Sequence, residues 1–329
     1  MALLLIHSGW LDDTDVMAID FNSVKFLFWA KNLGVAFHRT ATLGHLGMAC
    51  SAGRVQRAAR DFGIHATAEQ IRRCFQRQVC KDLYSDGFLR LLGAEEIVSV
   101  DRSDYEGASF LHDLNEPFPE TMRGRFDLVL DGGTLEHVFH YPAALKHSLE
   151  LLRVGGHFIT ITPANGLMGH GFYQFSPELF FSVFNYESGF RLRKIVLHEA
   201  LKADAPFYEV NNPATIGGRG ELNSPRPIYL SVLAQKTADV PILSRPPQQS
   251  DYVAIWKEPK RTLDPSLSVG KLRMALNPYW PTWLRSWKMK LFHRLKHGPA
   301  TLNNPRAFRR LGRKAVAEER MKGDFTPGA

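Results

Sequence analysis

Cysteine is scarce in this 329-residue chain. Only Cys50, Cys74 and Cys80 occur. Three are too few for a disulfide framework, and the spacing of Cys74 and Cys80 is not that of a metal site. The expectation is reduced thiols in a reducing cytosol. Long apolar runs are also lacking. None approaches the roughly 18–20 residues that span a bilayer. The opening Met1-Ala2-Leu3-Leu4-Leu5-Ile6 has no basic n-region and is too short for a signal-peptide core. Internal repeats and low-complexity tracts are absent, which excludes solenoid and propeller architectures. Acidic residues are sparse in one region. Residues 241–329 hold 18 Lys and Arg against 6 Asp and Glu, a local charge of +12, while the rest holds 23 against 27, or −4. Anionic partners are therefore implied only for the C-terminal quarter.

What remains is an ordinary globular composition, 44% hydrophobic and 22% charged, long enough for one large domain or two modest ones. Asn22 to Leu33 predicts an amphipathic helix closed by Gly34. His38 to Leu43 predicts a short strand running into Gly44. Ser51 to Leu92 is helical in pattern, in about three segments, with Thr67-Ala68-Glu69-Gln70 as a capped helix start. Then strand and helix signals alternate. Ile97 to Val100 ends at Asp101, Ser109 to His112 ends at Asp113, and Asp127 to Leu130 ends at Asp131. A helix from Pro142 to Arg153 breaks at Gly155-Gly156. His157 to Thr162 is a further strand. Ser176-Pro177-Glu178 starts another helix, with Ser as N-cap and Pro in the first turn. Arg191 to His198 and Ile228 to Ala234 complete the β signals. The pattern predicts an α/β fold: a Rossmann-like, doubly wound, mostly parallel sheet with a helical insertion at about 51–92 and a basic C-terminal extension. Domain boundaries follow the composition, with 1–240 as the α/β domain and 241–329 as linker and partly helical extension. In such sheets ligands bind beyond the carboxyl ends of the strands. Asp101, Asp113 and Asp131 all stand there and could face one crevice, although Asp is also common where a chain must turn.

The phrase Arg125-Phe126-Asp127-Leu128-Val129-Leu130-Asp131-Gly132-Gly133-Thr134-Leu135-Glu136-His137-Val138 resembles the fourth-strand segment of class I S-adenosylmethionine-dependent methyltransferases. In that family a glycine turn follows the next helix, as Arg153-Val154-Gly155-Gly156 does here. The match in order covers roughly residues 90–165, and more weakly 36–235. The resemblance implies a bound S-adenosylmethionine. Asp101 then holds the position that accepts the ribose hydroxyls, for which a two-oxygen carboxylate is suited. Asp113 holds the one that contacts the adenine amino group. Asp131 and Gly132 would line the cleft between methionine and substrate. The family's glycine-rich first motif is represented by Leu43-Gly44-His45-Leu46-Gly47, with Gly44 and Gly47 as cofactor contacts. It has two glycines, and about fifty residues separate it from Ile97. Either a helical insertion lies between, or the loop is degenerate.

The loop Asn165 to Phe175 follows the strand that ends at Thr162. Placed beside the crevice, it could hold an acceptor, with His170 as general base and Tyr173 and Gln174 orienting a hydroxyl or amine. The alternative is a structural glycine loop with His170 bonded to backbone. Glu136-His137 can be read as an acid/base pair or, as the family resemblance implies, as the start of a helix beside the cofactor, the carboxylate serving the helix N-terminus or packing. His137, His140 and His147 show no third ligand, so no metal is expected. From Pro281 to His297, Trp283, Leu284, Trp287, Leu291, Phe292 and Leu295 recur at helical spacing among basic residues. Such a helix can lie on an anionic membrane surface or pack on the parent domain; nucleic acid is the least favoured partner. Arg306 to Arg320 reads as a charged helix. The sequence thus points to methyl transfer onto a small-molecule, sugar or lipid-linked acceptor in the cytoplasm, with peripheral membrane contact as an option. The alternatives are a methyltransferase-like scaffold without turnover and, third, an RNA-modifying enzyme using the basic tail. For the last, Thr162-Pro163-Ala164-Asn165 occupies a comparable strand end but lacks an Asn-Pro-Pro-Tyr-type signature.

Overall fold

The β-branched runs form strands where the periodicity places them. The computed structural model describes residues 18–75, 84–200, 202–216, 220–257 and 300–320, with isolated positions at 281, 283, 287 and 291. Cys80 and most of the basic helix expected at 281–297 lie outside the described residues. The strands are β1 Ala18–Ile19, β2 Arg39–Leu43, β3 Gly47–Met48, β4 Glu96–Asp101, β5 Phe110–Leu111, β6 Phe126–Asp131, β7 Leu152–Asn165, β8 Phe190–Glu199, β9 Tyr208–Val210, β10 Ile228–Lys236 and β11 Phe308–Arg310. The helices are α1 Phe21–Asn32, α2 Ala52–Asp61, α3 Ala68–Arg73, α4 Asp86–Leu91, α5 Tyr141–Glu150, α6 Pro177–Val183, α7 Pro213–Ile216, α8 Ser250–Lys257 and α9 Arg313–Glu318.

Nine strands form one sheet in the order β11-β9-β8-β10-β7-β6-β2-β4-β5. The block β5-β4-β2-β6-β7 is all parallel. Numbered along the chain, these five strands stand in the order 3-2-1-4-5, the doubly wound arrangement. The order reverses between β2 and β6, so the chain leaves these neighbours toward opposite sides and opens a crevice at their carboxyl ends. Beyond the block, β10 runs antiparallel between β7 and β8, and β9 and β11 continue the sheet antiparallel. The fold is therefore the Rossmann-like, mostly parallel α/β fold that the alternation predicts.

Both faces are covered, as a parallel sheet requires. Leu128, Leu130, Ile159 and Ile161 join one buried cluster with α1 and α2. Val129 and Phe158 turn to the other face, with α5 and α6. Ser176 caps α6 as expected, accepting from the Glu178 N–H. The helical insertion is present as α2, α3 and α4. Thr67 and Gln70 close a capping box at the start of α3.

Two expectations change. Helix α1 is buried from Phe21 through Val24 and from Phe26 through Ala30, so it is an interior helix rather than an amphipathic one. Helix α2 lies beside it, Trp29 stacks on Phe207, and Glu319 accepts from the Trp29 indole N–H at 3.2 Å. The C-terminal extension also rejoins the sheet. Arg306 to Arg320 contains a strand as well as a helix: β11 pairs with β9, and Val316 of α9 enters the core beside α1.

Candidate active site

The crevice is built from the loops after β2, β4, β6 and β7. Leu43 lies level with Val100 on one side and Asp131 on the other. The next residue, Gly44, extends the pairing by donating to the Val100 carbonyl at 2.7 Å. Its φ is +78°, and a Cβ there would stand 2.8 Å from Thr134 Oγ1 and 3.9 Å from Asp101 Oδ2. Only glycine suits this position. Gly44, Asp101 and Thr134 thus meet at the switch point. Thr134 completes the junction by donating its hydroxyl to the Leu43 carbonyl at 2.6 Å.

After Gly44 the chain does not enter a helix. It forms β3, which pairs with β1, and α2 starts only after Ser51. Gly47 lies in β3, paired with Ala18 of β1 and bridged to Tyr84. Leu46 packs against Gly132, where a Cβ would lie 2.9 Å from Leu46 Cδ1. His45 anchors the loop. Its ring stacks on Tyr84 at 3.6 Å, Nε2 stands 2.9 Å from Asp86 Oδ2, and Nδ1 stands 2.6 Å from the Glu106 carbonyl. Burial disfavours the imidazolium, but Asp86 and the Glu106 carbonyl outweigh it and raise the His45 pKa.

Of the three strand-end aspartates, Asp101 is best placed to receive a ligand. Its Oδ1 accepts from Ser103 N–H at 3.2 Å, and Oδ2 lies on the Gly44 side. Asp113 sits two residues beyond β5. Its Oδ1 accepts from the Asn115 backbone N–H and side chain, and Oδ2 pairs with the exposed Arg102 at 2.6 Å. Those hydrogen bonds from Asn115 hold its carboxyl below the ordinary range. Asp131 is fully buried. Its oxygens accept from Thr134 N–H at 2.9 Å and the Thr160 hydroxyl at 2.7 Å. The carboxylate holds the loop together and does not reach the cleft surface. Burial, reinforced by the nearby Glu136, raises its pKa.

The loop after β7 folds onto the loop after β6. Phe172 and Tyr173 N–H groups both donate to the Glu136 carbonyl, at 2.9 and 3.2 Å. The Tyr173 hydroxyl donates to the Phe139 carbonyl at 2.6 Å, so it fixes the two loops together. Gln174 accepts from Leu167 N–H at 2.8 Å within its own loop. His170 Nε2 is directed at Glu136, 3.7 Å from Oε1. The sequence pattern at His137, His140 and His147 yields no third ligand. The fold instead brings His137 beside Glu136 and His170, although His137 and His170 are 33 positions apart in the chain.

A cavity of about 330 Å³ opens beside Gly132. Its walls come from Asp20 and Phe21 at the start of α1, Ile161 of β7, His198 of β8 and Tyr229 of β10. His198 is buried, which lowers its pKa to about 4 and keeps it neutral at pH 7. Sequence reasoning missed this cavity because its walls come from six separate segments of the chain, and only Gly132 lies in a recognisable motif.

No family model and no curated protein matches the sequence. Among solved structures, this chain is similar to the 1,6-didemethyltoxoflavin-N1-methyltransferase of Burkholderia thailandensis, crystallised with 1,6-didemethyltoxoflavin and S-adenosylhomocysteine. Identity is 16%, the match covers 69% of this chain and 80% of that one, and the TM-score is 0.35. An S-adenosylmethionine-dependent methyltransferase from Mesorhizobium loti matches at 17% identity over 63% and 95% of the two chains, with a TM-score of 0.34. A Thermus thermophilus branched-chain polyamine synthase variant, in complex with N4-aminopropylspermidine and 5'-methylthioadenosine, matches at 14% identity over 67% and 56%, with a TM-score of 0.32. At such scores the fold stands on the strand order of this chain, not on these likenesses.

Proposed function

We propose that this protein transfers the methyl group of S-adenosylmethionine to a small-molecule acceptor. The observation that carries this reading is the meeting of Gly44, Asp101 and Thr134 at the topological switch point, next to a cavity that begins at Gly132. The residues present fit the cofactor. Asp101 offers a carboxylate oxygen on the Gly44 side for a ribose hydroxyl. Asp113 would serve the adenine amino group, and Gly44 and Gly132 permit close approach of backbone. When bound, the cofactor supplies an already activated methyl group. The chain's own task is to align the acceptor and exclude water.

The cavity supports a small acceptor over a glycan or lipid-linked one. Its size is at the lower end of the roughly 300–1,000 Å³ of ligand pockets. His170 is the side chain proposed to help the acceptor lose its proton, with Tyr173 holding the loop that carries it. The cytoplasmic setting belongs to this reading, in keeping with the free, buried Cys50 and Cys74. No described helix is long and apolar enough to cross a membrane.

Calorimetry with S-adenosylmethionine and S-adenosylhomocysteine tests the reading. Micromolar binding is expected, weakened about tenfold or more in Asp101→Ala, which loses charge-assisted hydrogen bonds. No binding at millimolar ligand would sink it. That result would favour a scaffold without turnover, a second reading that draws on the route of the chain after Gly44, which leads to β3 and not to a helix N-terminus.

A further inference from the structure

Glu136 is fully buried, yet only one of its oxygens is satisfied. Oε2 accepts from the Thr162 hydroxyl at 3.3 Å, while Oε1 has no hydrogen-bond partner. His170 Nε2 is also buried without one. The two atoms face each other at 3.7 Å, too far for a hydrogen bond. Each orphaned atom has given up water without gaining a partner, a cost that a ligand between them would remove. The His137 ring stands beside them, its centroid 5.1 Å from that of His170. One ligand atom from each of the three residues lies within 4.8 Å of the others.

We propose that Glu136, His137 and His170 form a divalent transition-metal site. Two atoms bound to one ion through bonds of roughly 2.0–2.2 Å stand about 3–3.6 Å apart, close to the observed Glu136–His170 separation. Two imidazoles and one carboxylate suit Zn²⁺, Co²⁺ or Fe²⁺ and not Mg²⁺ or Ca²⁺, which prefer oxygen ligands. The site is built in advance. The Thr162 hydroxyl orients the carboxylate, as outer partners of metal ligands do. The backbone clamp at the Glu136 carbonyl sets His170 against it, and Gly171 allows that approach: a Cβ there would lie 2.9 Å from the Glu136 oxygen. His137 is exposed, so the ion's remaining positions face outward.

The charge of Glu136 is felt in the proposed acceptor cavity. Tyr229, one of the cavity walls, lies within the field of Glu136. This gives the ion a use that rests on the proposed methyl transfer. An acceptor hydroxyl bound to it is acidified and releases its proton to solvent. The oxygen then bonds to the methyl carbon as the sulfonium S–C bond breaks, and the sulfur leaves neutral. On this account His170 assists by holding the ion and does not itself take the proton, and the acceptor class is a hydroxyl compound able to ligate a metal.

The test uses the full chain stripped with a chelator and titrated with Co²⁺, read by its visible absorption, with Zn²⁺ competition and Mg²⁺ as a control. One equivalent of Co²⁺ should bind and be displaced by Zn²⁺ but not by Mg²⁺. Binding should weaken about 100-fold in His170→Ala and in Glu136→Gln, and stay unchanged in His140→Ala. Circular dichroism confirms that each variant is folded, and His137→Ala serves if either of the first two is not. No binding, or equal binding by the folded variants, would overturn the site. S-adenosylhomocysteine calorimetry on the stripped protein separates the two proposals. Cofactor binding without metal binding sinks only the metal site, and metal binding without cofactor binding sinks only the methyl-transfer reading.

Discussion

Asp127, at the start of β6, joins three strands through one buried carboxylate. Its Oδ2 accepts from the Arg39 N–H of β2 at 2.9 Å, and its Oδ1 accepts from Arg153 Nε of β7 at 2.5 Å. Burial pushes its pKa up, but Arg153 and Arg39 outweigh that and hold it below the ordinary 3.8. A depressed carboxyl adds stability that is present above the unfolded pKa and is lost as pH falls through the lower folded value. Asp127→Ala should therefore cost about 1–3 kcal/mol at pH 7, since it strands a backbone N–H and a guanidinium. It should also lose the part of the acid-induced decline that falls below pH 4. Urea midpoints measured at pH 7 and pH 3.5 check this; equal midpoints at pH 7 would remove the staple. At this scale the sequence was only partly legible. Asp101 and Gly44 could be singled out because their roles follow from strand-end position and backbone freedom. The inward turn of Asp131 could not, because it answers the N–H groups of Thr134 and Leu135, which need an acceptor only once the loop is folded. Likewise, the facing of Glu136 and His170 depends on one loop settling on another.

The loop after β2 shows how an element can be held from outside itself. Its anchor is the His45–Asp86 pair, which links it to the first turn of α4. Because the His45 pKa is raised, its contribution is complete below the unfolded value of 6.5 and is lost as pH rises through the folded one. The anchor should thus loosen on the alkaline side. The affinity for S-adenosylhomocysteine should fall between pH 6 and pH 9, whereas His45→Gln should be weaker at pH 6 and nearly flat across that range. A flat profile for the unchanged protein would show that the anchor does not govern the loop. The strands of the sheet's centre were readable because they are apolar on both faces, and the insertion because its three helices carry starts and stops. The ladders β1–β3 and β9–β11 were not. Each pairs only two or three residues, too few for a period to emerge, and their partners are distant in the chain. Helix α1 was misread as amphipathic because Asn22, Ser23 and Lys25 look like a polar face. In the fold, Asp20 accepts from the Ser23 N–H, Asn22 bonds to Lys202 and Ala205, and Lys25 bonds to Asp204.

For the molecule as a whole, composition divides the chain near residue 240, but packing does not respect that line. Strand β11 extends the sheet through β9. Glu319 accepts from Trp29 at 3.2 Å and pairs with Lys194 at 2.8 Å. Removing the basic C-terminal region would therefore strip part of the fold along with any membrane-binding segment, and a truncation could lose lipid binding simply by unfolding. A cleaner probe lies in Trp283 and Trp287, which are helical, four positions apart, and 68% and 61% exposed, with Leu291 a further four along. They place apolar surface on one side of a segment rich in Arg and Lys, the composition of a helix that lies on an anionic bilayer. If that is its role, the full-length protein should sediment with phosphatidylserine vesicles and much less with phosphatidylcholine alone. A Trp283→Ser/Trp287→Ser double variant should bind roughly tenfold more weakly, given the apolar area that it withdraws. Its thermal midpoint should be unchanged, because neither side chain is buried. Equal partitioning of the variant and the parent would end the membrane proposal.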